Sequence, residues 1–182
     1  MSGVDGLKRM MALTEAFKRM LAVLQKVRYQ AVAIGDAAHR AHGSTRDVQR
    51  LELLMATNEK QRAAIVAAAK SQGFTPLEAP AGTLRLRAGE VEVLIHEAKT
   101  PLQRQALSRA MPERVLGIWS LVATPEDLIL MRAASDVASD RDSVIEMFKL
   151  KADKLDPDYL RARAEADGIF DRVKAAWKTS RG

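Results

Sequence analysis

A chain of 182 residues suffices for one domain with an extension, and for a core that needs no covalent staples. It has no cysteine, which excludes disulfides and thiolate metal sites and matches a reducing, cytoplasmic setting. A net charge of +6 and a pI of about 9.8 permit nucleic acid, nucleotides or an acidic partner, but aromatics are only 4% of residues, too few for a base-stacking platform.

Leu7, Met10, Leu13, Phe17, Met20 and Leu24 recur at three- and four-residue spacing and mark the core face of a first helix. Asp5, Lys8 and Arg9 lie within that helical pattern, so the segment does not read as a signal peptide. No apolar run is long enough to span a membrane. Residues 29–34 are short, apolar and β-prone and predict a buried strand. Gly35 allows a tight turn, and residues 37–42 read as a short helix ended by Gly43. In this helix His39 and His42 stand three apart; two ligands alone make a weak metal signal, and packing or capping is the simpler role.

Residues 49–55 predict the next strand, with Leu51, Leu53 and Met55 on one face and Arg50, Glu52 and Leu54 on the other. A helix over 58–72 buries Ile65, Val66 and Ala69 and stops at Gly73. Residues 83–87 and 90–95 flank Ala88-Gly89 as a hairpin. Pro101 opens a helix through Met111, and 115–122 reads as a strand interrupted at Gly117. Thr124-Pro125-Glu126-Asp127 combines an N-cap, a first-turn proline and early acids. The chain is then helical, with breaks around 136–139, at Asp156-Pro157 and near Gly168, and its last four residues are expected to fray. The order gives an α/β or α+β fold: a mixed sheet flanked by helices, with a C-terminal helical extension.

Several segments carry a resemblance. An apolar strand ending in Gly35-Asp36 leads through Arg46 to Arg50-Leu51-Glu52-Leu53. Val91-Glu92-Val93-Leu94-Ile95 and the helix from Thr100 follow. Thr124-Pro125-Glu126-Asp127-Leu128 then runs to Arg132, and Asp140-Arg141-Asp142-Ser143 comes last. In order and spacing the chain resembles the minimal and abortive-infection-type nucleotidyltransferases of the DNA polymerase beta-like superfamily. The resemblance implies a nucleotidyltransferase-like core over residues 1–122 and a helical segment over 123–182 packed on it. It implies Gly-Gly or Gly-Ser where Gly35-Asp36 stands, and Asp-x-Asp at Arg50 and Glu52. A third Asp is implied at Glu92, a Lys at Arg132, and phosphate contact at Gly35, Asp36, Arg46 and Arg132.

The departures bear on chemistry. Nucleotidyl transfer in such sites uses magnesium, which demands converging hard oxygen ligands. A guanidinium cannot ligate a cation and stays charged, so Arg50 stands where the metal's charge belongs. Glu52 and Glu92 are each one methylene longer than Asp, and Asp36 adds a negative charge where phosphates dock. The expectation is a catalytically degenerate fold with no cofactor, acting as a binding, structural or regulatory module through a protein partner or homo-oligomer. One alternative is a divergent, toxin-like transferase that holds magnesium on Glu52 and Glu92 and modifies nucleotide, RNA or protein. Another is a basic nucleic-acid-binding protein. Arg50 is further expected to tie Glu52 and Glu92 into one ion-pair cluster, the competing expectation being that Arg50 and Glu52 simply face water. A buried cluster of that kind would cost ~3–5 kcal/mol to break.

Overall fold

The structure, a computed structural model, describes residues 3–135 and 137–182. Helix α1 (Gly3–Val27) leads to strand β1 (Val32–Ile34), the short helix α2 (Gly35–Ala41), β2 (Leu51–Met55) and helix α3 (Glu59–Ser71). Three strands follow, β3 (Thr75–Leu77), β4 (Thr83–Ala88) and β5 (Val91–Glu97). Helix α4 (Pro101–Arg109) precedes β6 (Met111–Val115) and β7 (Ile118–Val122). The remainder is helical: α5 (Pro125–Ala133), α6 (Ala138–Lys151), a 3-10 turn (Ala152–Lys154), α7 (Pro157–Ala166) and α8 (Phe170–Arg181).

The seven strands form one mixed sheet in the order β3-β4-β5-β2-β1-β7-β6. At its centre β1 runs antiparallel to β2 and parallel to β7, while β2 runs parallel to β5. The period-two reading of β2 holds. Leu51, Leu53 and Met55 join the large buried cluster that includes Leu13, Phe17 and Met20 of α1. Leu54 turns to the opposite face and joins Ala98 and Ala106, with Ile34, Leu107 and Met131 packed around them. Glu52 shares that second face, and this places it in a cleft under α4 and α5 rather than in the core.

Local chemistry accounts for the helix starts. Asn58 and Thr100 each form a reciprocal capping box, with Gln61 and Gln103 respectively. Thr124 caps α5 and Asp156 caps α7, each followed by proline at the first helical position. No helix among the described residues is long and apolar enough to cross a membrane.

The structure corrects several expectations. Leu7 is 64% exposed, so the apolar stripe of α1 enters the core only from Leu13 onward. The short helix starts at Gly35 itself. Strand β3 is additional, with Thr75, Pro76 and Leu77 paired to Arg87, Leu86 and Arg85. The helix from Pro101 stops at Arg109, and Met111 begins a strand. The run over 115–122 holds the end of β6, a turn at Leu116 and Gly117, both with positive φ, and the return strand β7. Two such residues give the twist that a tight hairpin needs, so the interruption expected at Gly117 is a reversal of the chain. Helix α8 continues through Arg181, where fraying was expected. Of the expected break around 136–139, Asp136 lies outside the described residues.

Candidate functional site

Glu52 lies opposite Ile34 in the β1–β2 register, so the turn that follows β1 meets the Glu52 side chain directly. Gly35 has φ +66, a conformation that costs an L-residue roughly 1–2 kcal/mol. A Cβ on Gly35 would lie 2.9 Å from the Glu52 carboxyl carbon. Backbone geometry therefore favours glycine here, and any Cβ would also have to push the Glu52 side chain aside.

Arg50 sits just before β2, and its Nε lies 3.2 Å from Glu52 Oε1. His96 of β5 reaches the other oxygen, with Nε2 at 3.5 Å from Glu52 Oε2. Burial pushes the Glu52 carboxyl up, but the His96 contact and the charges of Arg50 and Arg132 outweigh it and hold it below the usual carboxylate range. Glu92 lies on the same sheet face, yet the single cluster expected around Arg50 does not form. Glu92 takes a bidentate pair from Arg85 (Nε at 3.0 Å, the second nitrogen at 2.9 Å) and a further bond from Arg87 at 2.7 Å. These bonds, Arg87 first and Arg85 second, hold its carboxyl below the usual range. The cause is register: Arg87 is paired directly with Glu92 across the β4–β5 hairpin.

This changes what Arg50 contributes. Its side chain is 51% exposed, so the pair with Glu52 is largely screened by water. Arg50→Ala is expected to cost less than about 1 kcal/mol in a urea melt, well short of a buried-cluster value. A loss of about 3 kcal/mol would show that Arg50 is structurally indispensable after all.

The turn and the helices above it are closed by ion pairs. Asp36 Oδ1 accepts from Arg132 of α5 at 3.0 Å, and the same guanidinium also binds Asp140 of α6. Arg46 pairs with Glu146 at 3.0 Å and donates to Ser143, both on α6. Ser44 donates to Glu146 at 2.8 Å, which anchors the loop between α2 and β2 to the same helix. His39 and His42 are both buried and pack as expected. His42 donates from Nε2 to the Ala123 carbonyl at 2.8 Å, whereas neither ring nitrogen of His39 has a hydrogen-bond partner among the described residues. Burial, then the charges of Arg132, His42 and Arg46, pull His39 down to about 3. Burial also lowers His42.

Between β2, β5, α4 and α5 a cleft of about 460 Å³ remains, lined in part by Glu52, His96, Thr100, Gln103, Met131 and Arg132. His96 was given no role from sequence, because a histidine near a strand end carries no pattern. Asp140 was seen only as part of an Asp-rich helix start. Arg85 and Arg87 were legible in principle, since counting back from the Gly89 turn puts Arg87 opposite Glu92.

The fold implies magnesium, but the carboxylates that would hold it are already committed to cations of the chain. Glu52 is engaged by Arg50 and His96, Glu92 by Arg85 and Arg87, and Asp36 and Asp140 by Arg132. Among the described residues no three His, Asp or Glu side chains converge as a ligand set. These residues do not fit a site that requires converging free carboxylate oxygens.

No protein-family model matches the chain, and no curated protein matches it. Solved structures do. A crystal structure of ANT(2'')-Ia in complex with adenylyl-2''-tobramycin superposes with TM-score 0.61 at 15% identity, over 84% of this chain and 94% of that one. The solution structure of the antibiotic-resistance factor ANT(2'')-Ia gives 0.56 at 15% identity, over 94% and 91%. An antigenic nucleotidyltransferase-like protein from Paracoccidioides brasiliensis gives 0.53 at 13% identity, over 90% and 92%. At these identities the likeness concerns fold: the chain has the nucleotidyltransferase fold, a seven-stranded mixed sheet flanked by helices.

Proposed function

We propose that this protein is a nucleotidyltransferase fold whose transfer site has closed on itself, and that it works as a binding, structural or regulatory module through a protein partner. One observation carries the reading. Both basic residues at the positions the resemblance assigns to phosphate are neutralised within the chain, Arg132 by Asp36 and Asp140, Arg46 by Glu146. A triphosphate would have to displace those carboxylates and then face Asp36 on the turn itself. Fold alone does not decide activity, so the argument rests on this local chemistry.

The divergent-transferase reading keeps one observation in its favour: Glu52 and His96 still face an open cleft. A melting-shift screen of nucleotides with and without magnesium or manganese separates the two. A nucleotide at a hundredfold excess over its Kd would add about 2.7 kcal/mol, a shift on the order of 5–10 °C for a chain of this size. The closed-site reading expects no metal-dependent shift, and a magnesium-dependent nucleotide shift would overturn it. Salt-sensitive binding to generic RNA or DNA would instead favour the basic-protein alternative.

A further inference from the structure

The helical end of the chain carries a groove of about 550 Å³ between the end of α6, α7 and α8. Its apolar surface comes from Phe148, Leu160, Phe170, Val173 and Trp177. Phe148 and Val173 are 3% and 6% exposed and form the floor, while Trp177 stands 42% exposed on the wall. Along α8 the groove residues Phe170, Val173, Lys174, Trp177 and Arg181 fall at i, i+3, i+4, i+7 and i+11, one continuous side of the helix. At 1.5 Å per residue that side is about 16 Å long, three turns.

The charges around this floor all have one sign. Among the described residues the charged groups lining the groove are Arg161, Lys174 and Arg181. Arg161 pairs with Glu165 on its own helix, whereas Lys174 and Arg181 lean over the rings of Phe170 and Trp177 with no carboxylate partner among the described residues. We infer that the groove docks an amphipathic helix of a partner protein whose apolar stripe is flanked by Asp and Glu. The inference rests on the partner-docking reading above and gives it a surface. Charge selects the occupant. A second copy would bring an identical cationic rim against this one, and like charges across an interface cost affinity. A flat anionic membrane would touch Trp177 and the rim but leave the concave floor unfilled. A partner helix laid in the groove fills it and pairs the rim.

The test uses two designed helical peptides of about 15 residues, long enough to hold some helix alone. Both carry the same leucine stripe, flanked in one by glutamates and in the other by lysines. In a Trp119→Phe background Trp177 is the only tryptophan, and its emission reports the groove. The expected result is a saturable blue shift with the glutamate peptide, at least about tenfold tighter than with the lysine peptide and weakened by salt. Lys174→Glu with Arg181→Glu should invert the preference at an unchanged melting temperature, since both side chains are exposed. No binding, equal binding of the two peptides, a shift given only by anionic vesicles, or self-association that the charge reversal leaves intact would each overturn the inference. Failure here with no nucleotide response in the melting screen removes this groove and leaves docking to another surface. Peptide binding together with a magnesium-dependent nucleotide shift removes the closed-site reading and leaves the groove.

Discussion

Asp127→Ala is expected to destabilise this protein by ~3–5 kcal/mol, more than any change in the cleft, because Asp127 is a buried charge on which three helices converge. The side chain is fully buried. One carboxylate oxygen accepts from the Thr124 hydroxyl at 2.8 Å and from Arg109 Nε at 3.3 Å, and the other accepts from the Tyr159 hydroxyl at 2.5 Å. The Arg109 guanidinium lies 3.7 Å from the centre of the Tyr159 ring, so α4, α5 and α7 meet in one polar knot. Burial first, and then the bond to Asp127, push the Tyr159 hydroxyl well above the usual phenol range. Alanine at 127 leaves Arg109 with the distant Glu126 at 3.8 Å as its carboxylate partner among the described residues, and removes the acceptor of the buried Thr124 hydroxyl and the half-buried Tyr159 hydroxyl.

Two milder variants bracket the effect. Asp127→Asn keeps an acceptor but loses the charge opposite Arg109 and should fall between alanine and the parent. Tyr159→Phe removes one neutral donor and should cost about 1 kcal/mol. Urea unfolding with linear extrapolation reads all three. A loss below about 1 kcal/mol for alanine would mean that water enters and satisfies the knot.

How legible this knot was from sequence marks the general limit. Thr124-Pro125-Glu126-Asp127 announced a helix start and α5 begins there, because capping chemistry is local. Nothing local in the sequence says which helix the Tyr159 hydroxyl, 32 residues further on, will reach. The sheet shows the same division. Alternation in residues 50–55 put Glu52 on the open face correctly, as a two-residue period requires. The partner of Glu92 depended on register across the β4–β5 hairpin and was assigned to Arg50 in place of Arg85 and Arg87. Hairpin β6–β7 was missed because Met111, Pro112, Glu113 and Arg114 carry no apolar alternation; they form an edge strand with three of those four positions exposed. The closure of Asp36 on Arg132 joins residues 96 positions apart in the chain. The substitution at Asp36 was visible, but its partner was not.

His39 should make the protein acid-labile well above the carboxylate range. In the folded chain it is fully buried, its ring nitrogens have no hydrogen-bond partner among the described residues, and it faces the cations Arg132 and Arg46 with Asp140 as the counteracting charge. Its pKa falls from the ordinary 6.5 to about 3. A depressed histidine pKa means the unfolded chain binds the proton first, so stability is intact above about pH 6.5 and drains as pH falls toward 3. At 1.36 kcal/mol per unit, His39 alone should remove about 2 kcal/mol between pH 7 and pH 5. His42 shifts in the same direction and adds to the slope. Glu52 and Glu92, whose pKa values are depressed, add their own losses only at lower pH, below the ordinary carboxylate value. Replacing His39 with leucine, an apolar side chain of similar size, removes a group that must be desolvated without a hydrogen bond. His39→Leu should therefore leave stability at pH 7 unchanged or higher and flatten the decline between pH 7 and 5. Urea melts of both chains across that range decide it: parallel pH profiles would show that His39 takes up its proton as readily in the folded chain as in the unfolded one.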